Sequence, residues 1–267
     1  MTNNFRALVI CGDMKKHLYF AAEVLKAFPE ARLIIERYPK NKVENYAKDP
    51  CEVLNKHFQD VQLAEDQYFD RYLQENESLL KDKLLLEVEK GQINEPHVFE
   101  TIKGFCPRFI AINATSILRG SILEYPDWVI ANHHAGLCQY YRGSGNNVWP
   151  FVHTQLDKIG VTIHYVDSGL DTGEIILQGR PSWSKGDNTH TIGCKCAIVG
   201  AQLMIKTIKE YEKKGFTPKF SQEKYSPALC KKKDFTASTV KIIQSKIDEG
   251  IVHRFLSKKI KASIYEW

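Results

Sequence analysis

Asn132 and His134 stand two residues apart at the end of an apolar run, Trp128-Val129-Ile130-Ala131. On a strand, side chains alternate between faces, so Asn132 and His134 share one face and His133 takes the other. Downstream, Gly160-Val161-Thr162-Ile163-His164-Tyr165-Val166 alternates as a second strand. It breaks into Asp167-Ser168-Gly169-Leu170-Asp171-Thr172-Gly173, a loop carrying two carboxylates. An amide, an imidazole and a carboxylate are the parts of an acyl-transfer site. The amide steadies an oxyanion, the imidazole handles a proton and the carboxylate holds the imidazole in place. No spacing suits a metal, since the close pair Cys194 and Cys196 is a C-x-C inside an expected helix.

Those residues need a scaffold, and the chain opens on one. Residues 6–11 read as a buried strand, Gly12-Asp13 as a turn, and 14–28 as a helix with Leu18, Ala21, Ala22 and Leu25 at three-and-four spacing. A second strand follows at 31–36, which is the opening of a doubly wound sheet. Gly12 lies at the carboxyl end of the first strand. It serves either the turn alone or, with Lys15 or Lys16 nearby, contact with a phosphate or sugar. Residues 38–90 are polar, with Tyr68, Leu73, Leu79, Leu80, Leu84, Leu85 and Leu86 spaced for helices.

Pro96 begins a helix to 103. Strands follow at 108–113, 160–166 and 174–178. A helix at 148–156 is capped by Asn146 or Asn147, and a long one starts at the Asp187-Asn188-Thr189 cap and runs to 212. A last helix at 237–249 is closed by Gly250. The expected fold class is α/β: a Rossmann-like, doubly wound, mostly parallel sheet with helices on both faces. Residues 1–212 form the catalytic domain, and 213–267 a short C-terminal extension suited to dimerisation.

The 267 residues are 43% hydrophobic and 26% charged, as in a globular protein. A net charge of +5 without a long basic block argues against a nucleic-acid partner. Lys231-Lys232-Lys233 is either solvated surface or an attractor for an anionic substrate. Seven scattered cysteines, an odd number, point to a reducing, cytoplasmic setting. No run approaches the roughly 18 apolar residues of a membrane span, so no membrane partner is expected.

The residues quoted above resemble the formyltransferase family that uses 10-formyltetrahydrofolate. In that family an N-x-H stretch leads into a loop ending Y-R-G and a tryptophan-bearing helix. Then comes G-V-T-x-H-x-V-D-x-G-x-D-T-G-x-I-x-x-Q. Here these are Asn132-His133-His134, Tyr141-Arg142-Gly143, Trp149, and the run from Gly160 through Asp171-Thr172-Gly173 to Gln178. The resemblance implies that Asn132, His134 and Asp171 are catalytic, with His164 either near the site or in the core. It implies that the backbone of Thr115-Ser116-Ile117-Leu118 recognises the pterin of the co-substrate. The loop holding Asp167 and Asp171 makes the other wall of that pocket; Asp167 either lines that wall or only caps its own turn. Gly12, Lys15, Tyr141 and His164 are the acceptor-side candidates. One departure stands out: the family's H-x-S-x-L-P is replaced by His134-Ala135-Gly136-Leu137-Cys138-Gln139.

The implied mechanism is direct transfer, without a metal. An acceptor amine attacks the formyl carbon, Asn132 donates to the oxyanion, His134 stabilises it and assists proton movement, and Asp171 orients His134. The family's methionyl-tRNA branch adds a nucleic-acid-binding domain, whereas the tail here is short. The glycinamide ribonucleotide branch has a glycine-serine loop after the first strand, whereas here Cys11-Gly12-Asp13-Met14-Lys15-Lys16 stands. Formyltetrahydrofolate hydrolases carry a regulatory module ahead of the core. Size and the Tyr140-Tyr141-Arg142-Gly143 loop are most similar to the sugar N-formyltransferases. This implies a nucleotide-linked amino-deoxy sugar as acceptor, for surface polysaccharide, and a homodimer. The alternatives are another small amine such as glycinamide ribonucleotide, water, or a folate-binding protein without chemistry.

Overall fold

The structure is a computed structural model and describes residues 5–39, 51–222, 227–257 and 264–266. Among these, strands β1 (Ala7–Gly12), β2 (Arg32–Arg37), β3 (Leu84–Glu89), β4 (Phe109–Asn113), β5 (Val129–His134), β7 (Val161–Tyr165) and β8 (Ile175–Gly179) form one sheet in the order β3-β2-β1-β4-β5-β7-β8. The first five in this order are parallel; β7 is antiparallel to β5, and β8 is antiparallel to β7. β1 has β2 on one side and β4 on the other, so the winding reverses there. The crevice at the carboxyl ends of these strands is where such sheets take ligands.

Both faces of the sheet are covered, which is why its inner strands are unbroken apolar runs. Ala7, Val9 and Cys11 of β1 face one layer, and Leu8 and Ile10 face the other. The first layer is α1 (Lys15–Ala27) with α5 (Thr189–Lys214). Phe20 and Val24 on α1 and Met204 and Ile208 on α5 share a cluster with Phe109, Ala131 and Ile163. On the other face α4 (Pro96–Phe105) places Val98 and Ile102 against Ile110, Ile112 and Ile130. α2 (Glu52–Glu75) lies outside α1 and α5, anchored by Phe69 against Cys194 and Ala197.

Asn188 caps α5 by accepting from the His190 and Thr191 N–H groups, and Thr191 accepts in return from the Asn188 N–H. By length and composition α5 is apolar enough to cross a membrane; here half of its apolar stretch is buried in the core.

Two expected elements differ. The 38–90 stretch, whose 40–50 part lies outside the described residues, is not all helix. After α2 and α3 (Glu77–Lys83) comes β3, parallel to β2. Leu84, Leu85 and Leu86 fit helical spacing, but the segment alternates in burial along the sheet edge, and pairing with β2 decides its form. The 148–156 helix shrinks to a single turn, Trp149–Val152, and neither Asn146 nor Asn147 caps it. Thr154 adopts a left-handed conformation (φ 58°) and ends it.

The C-terminal part packs on this unit. β6 (Tyr141–Gly143) pairs in parallel with β9 (Ala228–Cys230). α6 (Ala237–Asp248) and α7 (Ile251–Leu256), joined through Gly250, bring Ile243, Ile251 and Val252 into one cluster with Phe151, Leu156, Val161 and Ile192.

Candidate active site

β5 splits its polar end as alternation requires. His133 turns into the helical layer, stacks on Phe20 at 5.3 Å and lies so close to Gly200 that a Cβ there would meet its Nε2 at 2.1 Å. Burial, with smaller contributions from His134 and Lys16, pushes His133 down to about 3, so it stays uncharged. Asn132 and His134 face a cavity of 1240 Å³ at the carboxyl ends of β1, β4 and β5.

Register brings the remaining groups in. β7 pairs antiparallel with β5, setting His164 opposite Asn132. Asp171 arrives from the following loop in a left-handed conformation (φ 53°), which Asp tolerates better than most residues. Its Oδ2 accepts from the Gly143 N–H at 2.9 Å and lies 3.3 Å from His134 Nδ1. Its Oδ1 lies 3.4 Å from Asn132 Nδ2 and 3.5 Å from His164 Nε2. Burial opposes the charge on Asp171, but the neighbouring His134 outweighs it and holds the carboxyl well below the usual carboxylate range.

Hydrogen-bond bookkeeping assigns the protons. His164 Nδ1 lies 2.7 Å from the Tyr165 carbonyl, so Nδ1 carries the hydrogen and Nε2 accepts from Asn132 Nδ2 at 3.1 Å. One amide hydrogen of Asn132 is thereby committed. The other has only the long Asp171 contact and is available to an oxygen in the cavity. His134 faces an acceptor on each ring nitrogen, Asp171 Oδ2 at Nδ1 and the Tyr141 carbonyl, 3.3 Å away, at Nε2. A neutral ring has one N–H for these two oxygens; the doubly protonated ring supplies both.

Gly136 accounts for the departure from H-x-S. A Cβ there would sit 2.5 Å from the Asn146 Cβ and 2.9 Å from His134 Nε2, so no side chain fits beside the imidazole. The loop beyond is tied down in its own way. Asn146 donates to the Gly143 carbonyl at 2.6 Å and Trp149 Nε1 to Ser144 at 3.0 Å. Arg142 reaches Gln222 at 2.8 Å, and Gln222 donates to the Asp171 carbonyl at 3.2 Å. Arg142 therefore holds the loop.

The cavity has two walls. The loop wall is 114–119 after β4, with Val166, Asp167, Gly169 and Leu170 opposite. Asp167 is spent on its own turn, accepting from the Gly169 N–H and the Thr172 hydroxyl. Ile117 and Leu170 are exposed apolar side chains on this wall. The peptide groups of Leu118 make no hydrogen bond among the described residues, so Leu118 offers a paired donor and acceptor to a flat amide-bearing ring. This fits a pterin.

The ring wall comes from α2, the start of α5 and the turn after β9. His57 centres it, with ring centroids 4.8 Å from His190, 5.0 Å from Phe235 and 5.4 Å from Phe58. The two imidazoles share a 3.1 Å hydrogen bond. Burial and the neighbouring His190 push His57 down to about 4, so the wall is an uncharged ring surface. Lys231 and Lys232 border it.

Three acceptor-side candidates have partners within the fold. Gly12 is buried behind the Tyr38 and His17 side chains, which a Cβ would meet at 2.6 and 2.9 Å. Lys15 borders the cavity, but its ammonium is held by Asp66 and Asp70 of α2. Tyr141 directs its hydroxyl to Gln155 at 2.7 Å and toward His153 at 2.9 Å, so the residue serves the site through its carbonyl. His164 stays within the site. The Gly143 N–H, Gln222 and the rings of His57, His190 and Phe235 escaped sequence reasoning. They come from distant segments and carry no motif.

A family model described as formyl transferase matches residues 50–208, more than half of the chain. A methionyl-tRNA formyltransferase of Thermodesulfovibrio yellowstonii is 37% identical over 144 residues, 52% of this chain and 46% of that one. The chain thus spans about half the length of the curated relatives it matches. Among solved structures, a phosphoribosylglycinamide formyltransferase from Anaplasma phagocytophilum aligns with a TM-score of 0.56 at 15% identity, covering 85% of this chain and 99% of that one. An N-formyltransferase from Helicobacter canadensis, in complex with folinic acid and dTDP-3-aminofucose, aligns with a TM-score of 0.51 at 17% identity, covering 86% and 72%. These structural likenesses establish the shared α/β fold. With the family model spanning β3 to β8, β5 and the Asp171 loop included, the chain belongs to the formyl transferase family.

Proposed function

We propose that this protein transfers a formyl group from 10-formyltetrahydrofolate to the amino group of a nucleotide-linked amino-deoxy sugar. The observation that carries the transfer is the convergence of Asn132, His134 and Asp171 between the two walls of one cavity. The loop wall holds the folate through Leu118, with Ile117 and Leu170 across its apolar part. When bound, the folate would supply a formyl carbon open to attack by an amine; as the new C–N bond forms, the carbon's bond to folate N10 breaks, the amine gives up one proton and N10 gains one, leaving tetrahydrofolate. Asn132 turns its uncommitted hydrogen to the oxygen that gains charge. His134, held between Asp171 and the Tyr141 carbonyl, lies beside that oxygen and assists proton movement. Asp171 holds that ring and, through the Gly143 N–H, the acceptor-side loop. The burial of His134 and Asp171 makes the interaction between them stronger than in solution.

The nucleotide-linked acceptor is supported by the ring wall. Uncharged imidazole and phenyl rings suit a nucleobase, and Lys231 and Lys232 suit a diphosphate. The Helicobacter canadensis likeness agrees with it. The identity to a methionyl-tRNA formyltransferase favours a second reading, an aminoacyl-tRNA acceptor.

The test is consumption of 10-formyltetrahydrofolate against nucleotide-linked 3-amino and 4-amino sugars, glycinamide ribonucleotide, methionyl-tRNA and no acceptor, with mass spectrometry of the product. The expected result is one added formyl group on an amino sugar. Formylated methionyl-tRNA would select the second reading, and consumption without acceptor would mean hydrolysis.

A further inference from the structure

We propose that Glu36 is a positioning residue for the formyl donor, fixing the loop wall before any ligand arrives. The inference rests on the reading that a folate occupies that wall. Glu36 ends the apolar run of β2 and is fully buried. A carboxylate out of water is costly unless donors surround it. Here its Oε2 accepts from the Ser116 N–H at 2.6 Å and from Lys90 Nζ at 3.0 Å, and its Oε1 from the Gly91 N–H at 2.8 Å. Lys90 lies over the Tyr38 ring at 4.5 Å.

Ser116 is the middle of the loop wall, and two other side chains grip the same loop. The Tyr38 hydroxyl donates to the Ala114 carbonyl at 2.7 Å. Asn94 donates to the Ile117 carbonyl at 2.9 Å and accepts from the Arg119 N–H at 2.8 Å. Ala114 sits in a left-handed conformation (φ 58°), a strain that persists only where surrounding bonds over-determine the backbone. These contacts use the Ala114 and Ile117 carbonyls and the Ser116 and Arg119 N–H groups, and leave both peptide groups of Leu118, and of Thr115, at the cavity. Glu36 is the charged centre of this frame, and it joins the Lys90-Gly91 turn after β3 to the loop after β4. A merely structural acid would stabilise the fold without setting ligand affinity. An acid that orients Ser116 sets both.

Glu36→Gln is the diagnostic change. All of the contacts at Glu36 are donors, so the amide nitrogen of glutamine must face one of them. The experiment is calorimetric titration of folinic acid into the full chain, below the melting temperature of each variant, with hydrogen exchange over residues 112–120. In Glu36→Gln the affinity should fall about tenfold, the scale of one charge-assisted hydrogen bond, and the loop amides should exchange faster in the free protein. Arg37→Gln, which removes only an exposed pair with Glu87, should match the wild type. If Glu36→Gln fails to fold, Tyr38→Phe removes another bond to the same loop and should weaken folinic acid in the same sense. Lowered melting temperature with unchanged affinity would overturn the inference and leave the folate reading standing. Absence of folinic-acid binding by the wild type would overturn both.

Discussion

The loop wall and the ring wall border the same cavity and are built differently. The 114–119 loop has its peptide groups fixed by Glu36, Tyr38 and Asn94, so its shape is set by hydrogen bonds from the sheet side of the fold. The ring wall is a meeting of side chains from α2, the first turn of α5 and the segment after β9, held mainly by contact among His57, His190, Phe58 and Phe235. A wall of oriented peptide groups selects one flat ligand by donor and acceptor pattern. A wall of packed rings accepts any flat ring of suitable size and is re-aimed by changing a few side chains. A constant donor and a variable acceptor call for this division.

The catalytic cluster lies between the walls, and breaking it should have the largest effect while sparing both. Asn132→Ala and His134→Ala should each lower kcat on the order of a hundredfold or more, the scale for losing one group at an oxyanion. Folinic-acid affinity and acceptor KM should change little. Rapid-quench turnover with calorimetry checks this, and wild-type turnover in either variant would remove that residue from the mechanism.

Asp171→Asn adds a pH signature. The folded carboxyl titrates below its unfolded value of about 3.9, so its ionisation stabilises the fold above that pH. That stabilisation is lost as pH falls toward the folded value. Thermal melts between pH 7 and 2.5 should show wild type losing stability below about pH 4 more steeply than Asp171→Asn. Parallel acid limbs would show that Asp171 is not held in its charged form.

Much of the sheet was visible in the residues, the ring wall was not, and the limits of that view are physical. The parallel strands were legible because both faces are buried and their runs, such as Leu8-Val9-Ile10, are unbroken. Asn132 and His134 were legible because alternation puts them on one face; Asp171 was singled out from Asp167 by the family resemblance, and the β5–β7 pairing is what brings its loop to His134. β3 was not, since an edge strand takes its form from pairing with β2 and Leu84-Leu85-Leu86 fits helical spacing equally. The partners of Lys15 were not legible either, since Asp66 and Asp70 lie on a helix whose position no local pattern reveals. Glu36 left a trace: a carboxylate closing Leu33-Ile34-Ile35 is out of place unless something binds it.

The next two changes sharpen the comparison of the walls. Phe235→Ala removes a ring from the ring wall and should raise acceptor KM about tenfold, the scale of one base–ring stack, with folinic-acid affinity unchanged. Asn94→Ala removes two bonds to the loop wall and should do the converse, weakening folinic acid about fivefold with acceptor KM unchanged. Both constants measured on both variants give a double dissociation. If each variant moves both constants equally, the walls are not separate subsites.

The smallest effect belongs to the cations at the border of the ring wall. Lys231 is exposed, so water and salt screen whatever charge it contributes. Its removal in Lys231→Gln should raise acceptor KM only about twofold at low ionic strength, as expected of an exposed ion pair. The difference from wild type should vanish near 0.5 M salt, where the screening length falls to roughly 4 Å. The stacking contribution of Phe235 is apolar and should persist there. Titrating KM against salt for the two variants therefore separates the charge on the acceptor from its ring. A Lys231→Gln defect that survives high salt would mean that Lys231 makes a direct, desolvated contact.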